Sequence, residues 1–164
     1  MTMDLTSLAK RFGQDTCGAA LVEMTLVAPF MLLLSAGVFE FSNIIQTRLL
    51  LEAGVEDGAR YLARCNSDQT TCETNAKNIA VFGATAAGAA RVTGWAASAV
   101  TISYVVTPIV VGNNGLANYR SPTANVTTAT LASSYAYGGT GLWGYLGFGA
   151  LTLSVSHQER VFGW

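Results

Sequence analysis

Charge and histidine are scarce in this sequence. Lys and Arg together number 9, Asp and Glu number 10, and the formal net charge of the 164 residues is -1 at pH 7. A nucleic-acid-binding protein carries a basic surface, which this composition does not supply. The sequence also contains no G-x-S-x-G elbow, no Walker loop and no C-x-x-C redox motif. We therefore expect a protein that is not an enzyme, with no catalytic residue, cofactor, metal or nucleic-acid partner.

The one histidine, His157, does not change that expectation. It alternates with Val155 and Glu159 near the end of a predicted strand. The neighbouring Ser154 and Ser156 would point to the opposite face of that strand. The simplest interpretation is a structural histidine with its hydrogen bonds satisfied, and a catalytic role is the alternative.

Cysteine is also rare, and its spacing fits no zinc site. The chain has three cysteines, of which Cys65 and Cys72 lie close together in "CNSDQTTC" and Cys17 stands alone. No second Cys or His pair accompanies them, as a zinc site would require. We interpret Cys65 and Cys72 as a local disulfide formed in an oxidising compartment, with two free thiols as the alternative.

What the sequence has in abundance is apolar residues, at 51% and a mean hydropathy of +0.37. From Ala19 to Phe39 the only ionised side chain is Glu23. Twenty-one helical residues span roughly 31 Å, which matches one hydrocarbon core. Pro29 inside this run is tolerated better in a membrane helix than in a soluble one. The run of residues 19–39 therefore predicts a single transmembrane helix.

The helical pattern continues past this run as an amphipathic segment. Apolar residues recur at helical spacing, at Phe41, Ile44, Leu51, Val55 and Leu62. Polar residues occupy the other faces, and Glu56 stands four residues before Arg60, the favourable order for an ion pair. We predict one helix from about Ala19 to Arg64, whose second half, 40–64, stands outside the membrane.

The remaining residues, 65–164, predict a small α+β domain. "TNAKNIAVFGATAAGAARV" (74–92) predicts a second helix, with small residues Ala80, Ala84 and Gly88 along one side. Three segments then alternate with the period of a strand, at 99–107, 125–137 and 151–161. The predicted fold is α+β, with a small antiparallel three-stranded sheet packed on the amphipathic half of the long helix.

Two further features suggest contacts with other molecules. The loop "GGTGLWGYLGFG" (138–149) carries bulky apolar residues, which could cap the sheet or touch a membrane or a partner. They are Leu142, Trp143, Tyr145, Leu146 and Phe148. Glu40, which closes the apolar run, is most simply a carboxylate at the membrane interface, and a contact between subunits is the alternative.

The N-terminal third resembles a known family. Gly18 is followed by Glu23 in "GAALVEMTLVAPFMLLL", then by Glu40-Phe41 and "GARYLAR". This combination resembles the class III signal of type IV pilins and pseudopilins. More particularly, it is similar to the TadE-like pseudopilins of tight adherence (Flp/Tad) pilus systems. The resembling portion runs from about Gly13 to Arg64.

The resemblance implies a processing step and an assembly role. Residues 1–18 would be a prepilin-type leader, and a prepilin peptidase would cut after Gly18 on the cytoplasmic side, freeing the α-amino group of Ala19. Glu23 would then pair with the N-terminal amine of a neighbouring subunit. The implied protein is a minor pseudopilin that contributes to the assembly or initiation of a pilus. Its partners would be the peptidase, other pilins or pseudopilins, inner-membrane assembly proteins and the lipid bilayer of the bacterial inner membrane.

Some residues depart from that family pattern. Cys17 stands where a polar or basic residue is more usual before the glycine. Lys10 and Arg11 of the leader are balanced by Asp4 and Asp15. The orientation, with a cytoplasmic N-terminus and an extracytoplasmic C-terminal domain, therefore depends on the resemblance more than on charge. The alternative is an uncleaved, single-pass, membrane-tethered extracytoplasmic binding module.

Overall fold

The structure is a computed structural model that describes residues 16–121, 124–139, 141, 144, 147 and 149–162. Its elements follow in chain order: α1 (Thr16–Arg64), α2 (Gln69–Phe82), a short 3-10 helix (Ala97–Ala99), β1 (Val100–Pro108), β2 (Asn125–Tyr137) and β3 (Leu151–Arg160). The chain divides into two compact units, and the boundary lies within α1, between Ser42 and Asn43.

In the first unit, the described residues are the N-terminal part of α1. Large apolar side chains are exposed along it, including Leu21 at 69%, Leu26 at 72% and Phe30 at 69%. Pro29 lies inside the helix. The hydroxyl of Ser35 donates to the Met31 carbonyl at 2.8 Å, which satisfies this polar group within the helix. By length and composition α1 can cross a membrane, so the structure is compatible with a single-pass membrane protein.

The second unit is built on the C-terminal part of α1. One face of this part is buried, at Ile44, Leu51, Val55, Ala59 and Leu62. The predicted apolar stripe is therefore confirmed except at its first member, Phe41, which is 63% exposed. At 100° per residue Phe41 lies roughly 60° around the helix from Ile44, and it belongs to the first unit.

The second helix is shorter than the sequence predicted, and the prediction of 74–92 is wrong at both ends. α2 begins at Gln69 because the Asp68 carboxylate accepts a hydrogen bond from the Thr71 amide at 2.9 Å, an N-cap. It ends at Phe82 because Gly83 adopts the left-handed conformation (φ 74°) and donates to the Ile79 carbonyl.

Small residues let α2 pack close to α1. Gly54 and Gly58 of α1 face Ala80 and Ala76 of α2, and all four are buried. Of the predicted small-residue series, Ala80 is in this contact, whereas Ala84 and Gly88 lie beyond the end of the helix. The close approach leaves these two helices in direct backbone contact.

The three strands form an antiparallel sheet in the order β1-β2-β3. Their bounds agree with the prediction to within one residue. The register places Leu131 between Ile102 of β1 and His157 of β3. Leu131 is fully buried, and the hydroxyl of Ser133 on the same face accepts a 3.0 Å hydrogen bond from the Trp95 indole. The predicted α+β fold, a long apolar helix with a small antiparallel sheet, is confirmed.

Candidate functional site

The predicted cleavage position lies near the start of α1. A Cβ atom added to Gly18 would meet no atom within 4 Å, and Ala19 is exposed. No described residue therefore crowds the backbone at this position. Residues 1–15 of the predicted leader, including Lys10 and Arg11, lie outside the described residues.

Glu23 stands alone on an apolar surface. Its side chain is exposed, and its neighbours Leu21, Val22 and Met24 are 61–69% exposed. Among the described residues, no cation lies within ion-pair distance of its carboxylate. A lone carboxylate in hydrocarbon is costly, so this surface is incomplete without a partner or a polar headgroup. Ala19 precedes Glu23 by about one helical turn, roughly 6 Å of axial rise.

Glu40 occupies the opposite environment on the same helix. Its side chain is only 1% exposed, the lowest of any acidic residue that the structure describes. The interpretation of Glu40 as a carboxylate at the membrane interface stays a prediction. Burial of a carboxylate requires compensating polar contacts, and Glu40 has an interaction partner in the structure.

The predicted disulfide is present in the structure. It joins Cys65, directly after α1, to Cys72 in the first turn of α2, with the two Cα atoms 5.8 Å apart. Cys72 is fully buried. The hydroxyl of Tyr61 lies 3.8 Å from the Cys65 sulfur and accepts a hydrogen bond from the Asn75 amide at 3.1 Å. The bridge therefore fixes the turn between the two helices.

The apolar side chains of the predicted interaction loop lie outside the described residues. They are Leu142, Trp143, Tyr145, Leu146 and Phe148, and their contact with a membrane or a partner stays a prediction. His157 is placed: its Nε2 lies 3.2 Å from a Glu159 carboxylate oxygen on the same face of β3. In the part of the chain that the structure describes, no three His, Cys, Asp or Glu side chains converge to hold a metal ion.

One surface, on the segment between β1 and β2, was not among the predicted features. Residues 109–121 fold back through a bridge between Val111 and Ala117, which leaves Val110, Val111 and Leu116 62–68% exposed. The run Ile109-Val110-Val111 directly after a strand was the available signal, since a connecting loop is usually polar.

The comparisons with known proteins bear on α1. Residues 18–60 match the model of a family described as TadE-like protein. The match lies wholly within α1, and it confirms the resemblance on the segment that carried it. No curated protein and no solved structure matches the chain.

Proposed function

We propose that this protein is a minor pseudopilin that contributes to the assembly or initiation of a Tad/Flp-type pilus. In this proposal a prepilin peptidase removes residues 1–18 by cutting after Gly18. The mature protein, beginning at Ala19, is anchored in the inner membrane by residues 19–39. The second compact unit is extracytoplasmic, and the protein is not an enzyme.

The position of Glu23 is the observation that supports the proposal most. It is the one carboxylate on the apolar surface of 19–39, and it lies in the segment that matches the TadE-like family. Cleavage after Gly18 creates a cation, the α-amino group of Ala19. A carboxylate and an amine from two neighbouring subunits satisfy each other, so that two charges costly in lipid become one contact.

Two other observations support the compartment and the processing. The Cys65–Cys72 disulfide is a bond that persists in oxidising compartments, consistent with an extracytoplasmic second unit. Among the described residues, none lies within 4 Å of a Cβ atom placed on Gly18, which leaves room for a peptidase to approach. A residue without a side chain at this position is what close approach to the scissile bond requires.

The N-terminus of the mature protein tests the proposal. The protein would be purified from membranes of its own bacterium and of a strain lacking the prepilin peptidase, and each sample sequenced from its N-terminus. We expect Ala19 first in the parent strain and the intact leader in the other. An intact leader in a normally piliated parent strain would refute processing.

The alternative is an uncleaved, single-pass extracytoplasmic binding module. The observation that favours it is a cleft of about 740 Å³ beside the bridge between Val111 and Ala117, an arrangement suited to binding. In that case Glu23 reaches the headgroups by snorkelling. The same N-terminal sequencing separates the two functions, because only the pseudopilin begins at Ala19.

A further inference from the structure

The sheet has two edge strands, and β1 is the one without charged residues. Because the strand order is β1-β2-β3, β1 and β3 each have a neighbouring strand on one side only. Natural edge strands are protected against further pairing by charged side chains, bulges or prolines. β3 ends with His157, Glu159 and Arg160, whereas β1, "VTISYVVTP", has no charged residue and has its only proline at the last position, Pro108. The composition of β1 therefore does not protect its edge.

The register shows that β1 is a regular strand over its whole length. Each of its 9 residues pairs with one residue of β2, from Val100 opposite Ser133 to Pro108 opposite Asn125. A bulge would oppose two residues of one strand to one residue of the other, which would bend the strand and interrupt the pairing. The outer side of β1 therefore has the straight geometry that pairing with another strand requires.

The backbone groups of Ile102 and Val106 point away from β2. In an antiparallel pair, residues that exchange hydrogen bonds with the partner strand alternate with residues whose amide and carbonyl point to the other side. The amide of Ile109, one residue past β1 and in the same register, donates to the Ala124 carbonyl at 2.9 Å. In steps of two from Ile109, Val105 faces β2, so Ile102 and Val106 face outward. Among the described residues, none forms a hydrogen bond with these outward groups of Ile102 or Val106.

Apolar side chains flank this open edge on both faces of the sheet. Val105 is 56% exposed and Val106 is 58% exposed, and consecutive residues of a strand point to opposite faces. A strand added beside β1 would cover part of both side chains while it pairs with the backbone. Strand addition obtains its affinity from main-chain hydrogen bonds and its specificity from alternate side chains. The ligand that fits this edge is therefore an extended segment that carries no charge where it lies against β1.

The same edge of a second copy does not fit when both copies are anchored in one membrane. Antiparallel pairing of β1 with β1 of another copy requires a two-fold axis perpendicular to the sheet. The C-terminal part of α1 lies against one face of the sheet, where a Cβ atom on Gly58 would stand 2.9 Å from a methyl carbon of Leu131, so its axis runs along that face. The two-fold axis would reverse the direction of α1, whereas two copies anchored in one membrane leave it in the same direction. Parallel pairing is less stable per residue, so a different protein is the partner that fits best.

We infer that β1 is a docking site for an extended, uncharged segment of a different protein, which joins the sheet as a further strand. The amides and carbonyls of Ile102 and Val106 pair with this segment, and Val105 and Val106 pack against its side chains. The open edge is a property of the second unit. Only the choice of a different protein over a second copy rests on the membrane anchor of the proposed function.

The test uses the full chain, one chain in each nanodisc of neutral lipid, with amide hydrogen exchange measured residue by residue by NMR. The probe is a short synthetic peptide of alternating valines and threonines, with lysines beyond a glycine at each end for solubility. Every second amide of the probe is N-methylated, so that only one of its edges can pair. The control peptide has the same sequence and is N-methylated on both edges, which removes main-chain pairing but keeps the side chains.

The exchange pattern should alternate along β1. In the free chain we expect the Ile102 and Val106 amides to exchange about tenfold or more faster than the Ser103 and Val105 amides, which bond to β2. The probe should slow the exchange of Ile102 and Val106, and the control peptide should not. Protection of alternate amides is specific to strand addition, because a ligand that only covers the apolar side chains would not select every second residue.

One variant removes a single outward donor. Val106→Pro lacks the outward amide but leaves the bonds to β2 in place, a change that an edge strand tolerates. It should weaken binding of a fluorescein-labelled probe about tenfold or more, measured by anisotropy, because one main-chain bond is lost and the proline ring obstructs its neighbours. Val106→Thr keeps the amide and the branched side chain, so it is the matched control and should bind like the parent chain.

Four results would overturn the inference. The first is slow exchange of the Val106 amide in the free chain, which would show that the edge is already covered. The second is no protection of Ile102 and Val106 by the probe, and the third is equal binding by Val106→Pro and Val106→Thr. The fourth is protection without peptide when two chains share one nanodisc, which would make a second copy the occupant. A Gly18→Val precursor should bind the probe like the parent chain, so failure of the processing proposal would leave this result unchanged.

Discussion

Gly58 of α1 lies directly against Ala76 of α2: a Cβ atom on Gly58 would stand 2.7 Å from the Ala76 carbonyl oxygen and 2.9 Å from a methyl carbon of Leu131. Backbone cannot yield as a flexible side chain does. The contact therefore requires glycine in the middle of a helix, where alanine would otherwise be favoured by about 1 kcal/mol.

Gly58→Ala should destabilise the second unit by about 2 kcal/mol, because the steric cost of overpacking exceeds the gain in helix propensity. The measurement is the unfolding midpoint of the full chain in detergent. Gly37→Ala is the control, since a Cβ there meets no atom within 4 Å and the midpoint should not fall. A midpoint unchanged by Gly58→Ala would show that the helices move apart freely.

The disulfide should also contribute to stability. Replacing both Cys65 and Cys72 by serine should lower the free energy of unfolding by about 2–3 kcal/mol, the amount expected for a short closed loop. Mass spectrometry after trapping thiols in intact cells checks that the bond exists in the native protein. Alkylation of both cysteines in the parent chain would refute the bond and remove support for the extracytoplasmic placement.

The cap of α2 predicts a pH dependence. The hydrogen bond from the Thr71 amide lowers the pKa of Asp68 below its ordinary value of 3.8. A lowered folded-state pKa contributes stability above the unfolded value, and this contribution is lost as the pH falls through the folded one. Asp68→Asn keeps a capping side chain without a charge. As the pH falls below 4, the denaturant midpoint of Asp68→Asn should therefore fall less than the midpoint of the parent chain. Identical acid profiles would contradict the assignment.

Processing should depend on Gly18. Gly18→Val should leave the precursor uncut on a gel, because a branched side chain blocks close approach to the scissile backbone. Gly37→Val, the same change deeper in α1, should be cut normally. Removal of the leader from Gly18→Val at the parent rate would contradict the class III signal.

Glu23 should matter for association rather than for anchoring. Glu23→Leu makes the helix more lipid-soluble, so the variant should be membrane-bound and processed. It should nevertheless fail to support piliation or to crosslink with pilin-like partners, because the neighbour's amine loses its counter-charge. Ser35→Leu, which removes an uncharged polar group from the same helix, should assemble normally. Glu23→Asp should be partly defective. Normal pilus numbers in Glu23→Leu would reduce Glu23 to an interfacial anchor.

Periodicity predicted most of the fold correctly, because period and burial are linked locally. The stripe at Leu51, Val55 and Leu62 and the three alternating strands needed no knowledge of tertiary contacts. The ends of α2 were not predicted correctly, because a glycine such as Gly83 either interrupts or ends a helix, and the choice depends on hydrogen bonds that the sequence does not show.

Some of the candidate site residues could likewise be predicted from the local sequence, and others could not. Gly18 and Glu23 were recognisable because their spacing along one segment is itself the signal. The burial of Glu40 depends on packing, and no local pattern indicates it.

The order of the strands in the sheet is also their order in the chain, and this has a consequence for how the protein folds. Each strand pairs with the next one synthesised, so the β1–β2 hairpin can form before β3 exists. The packing of the buried face of α1 is completed later, because Leu131, which would contact a side chain at Gly58, is synthesised only with β2. Until then only α2 can cover the buried face of α1, and the part that Leu131 contacts at Gly58 stays exposed. The emerging chain is therefore most prone to aggregation while the span between α1 and β2 is being made, and that is the interval in which a chaperone would have most to protect.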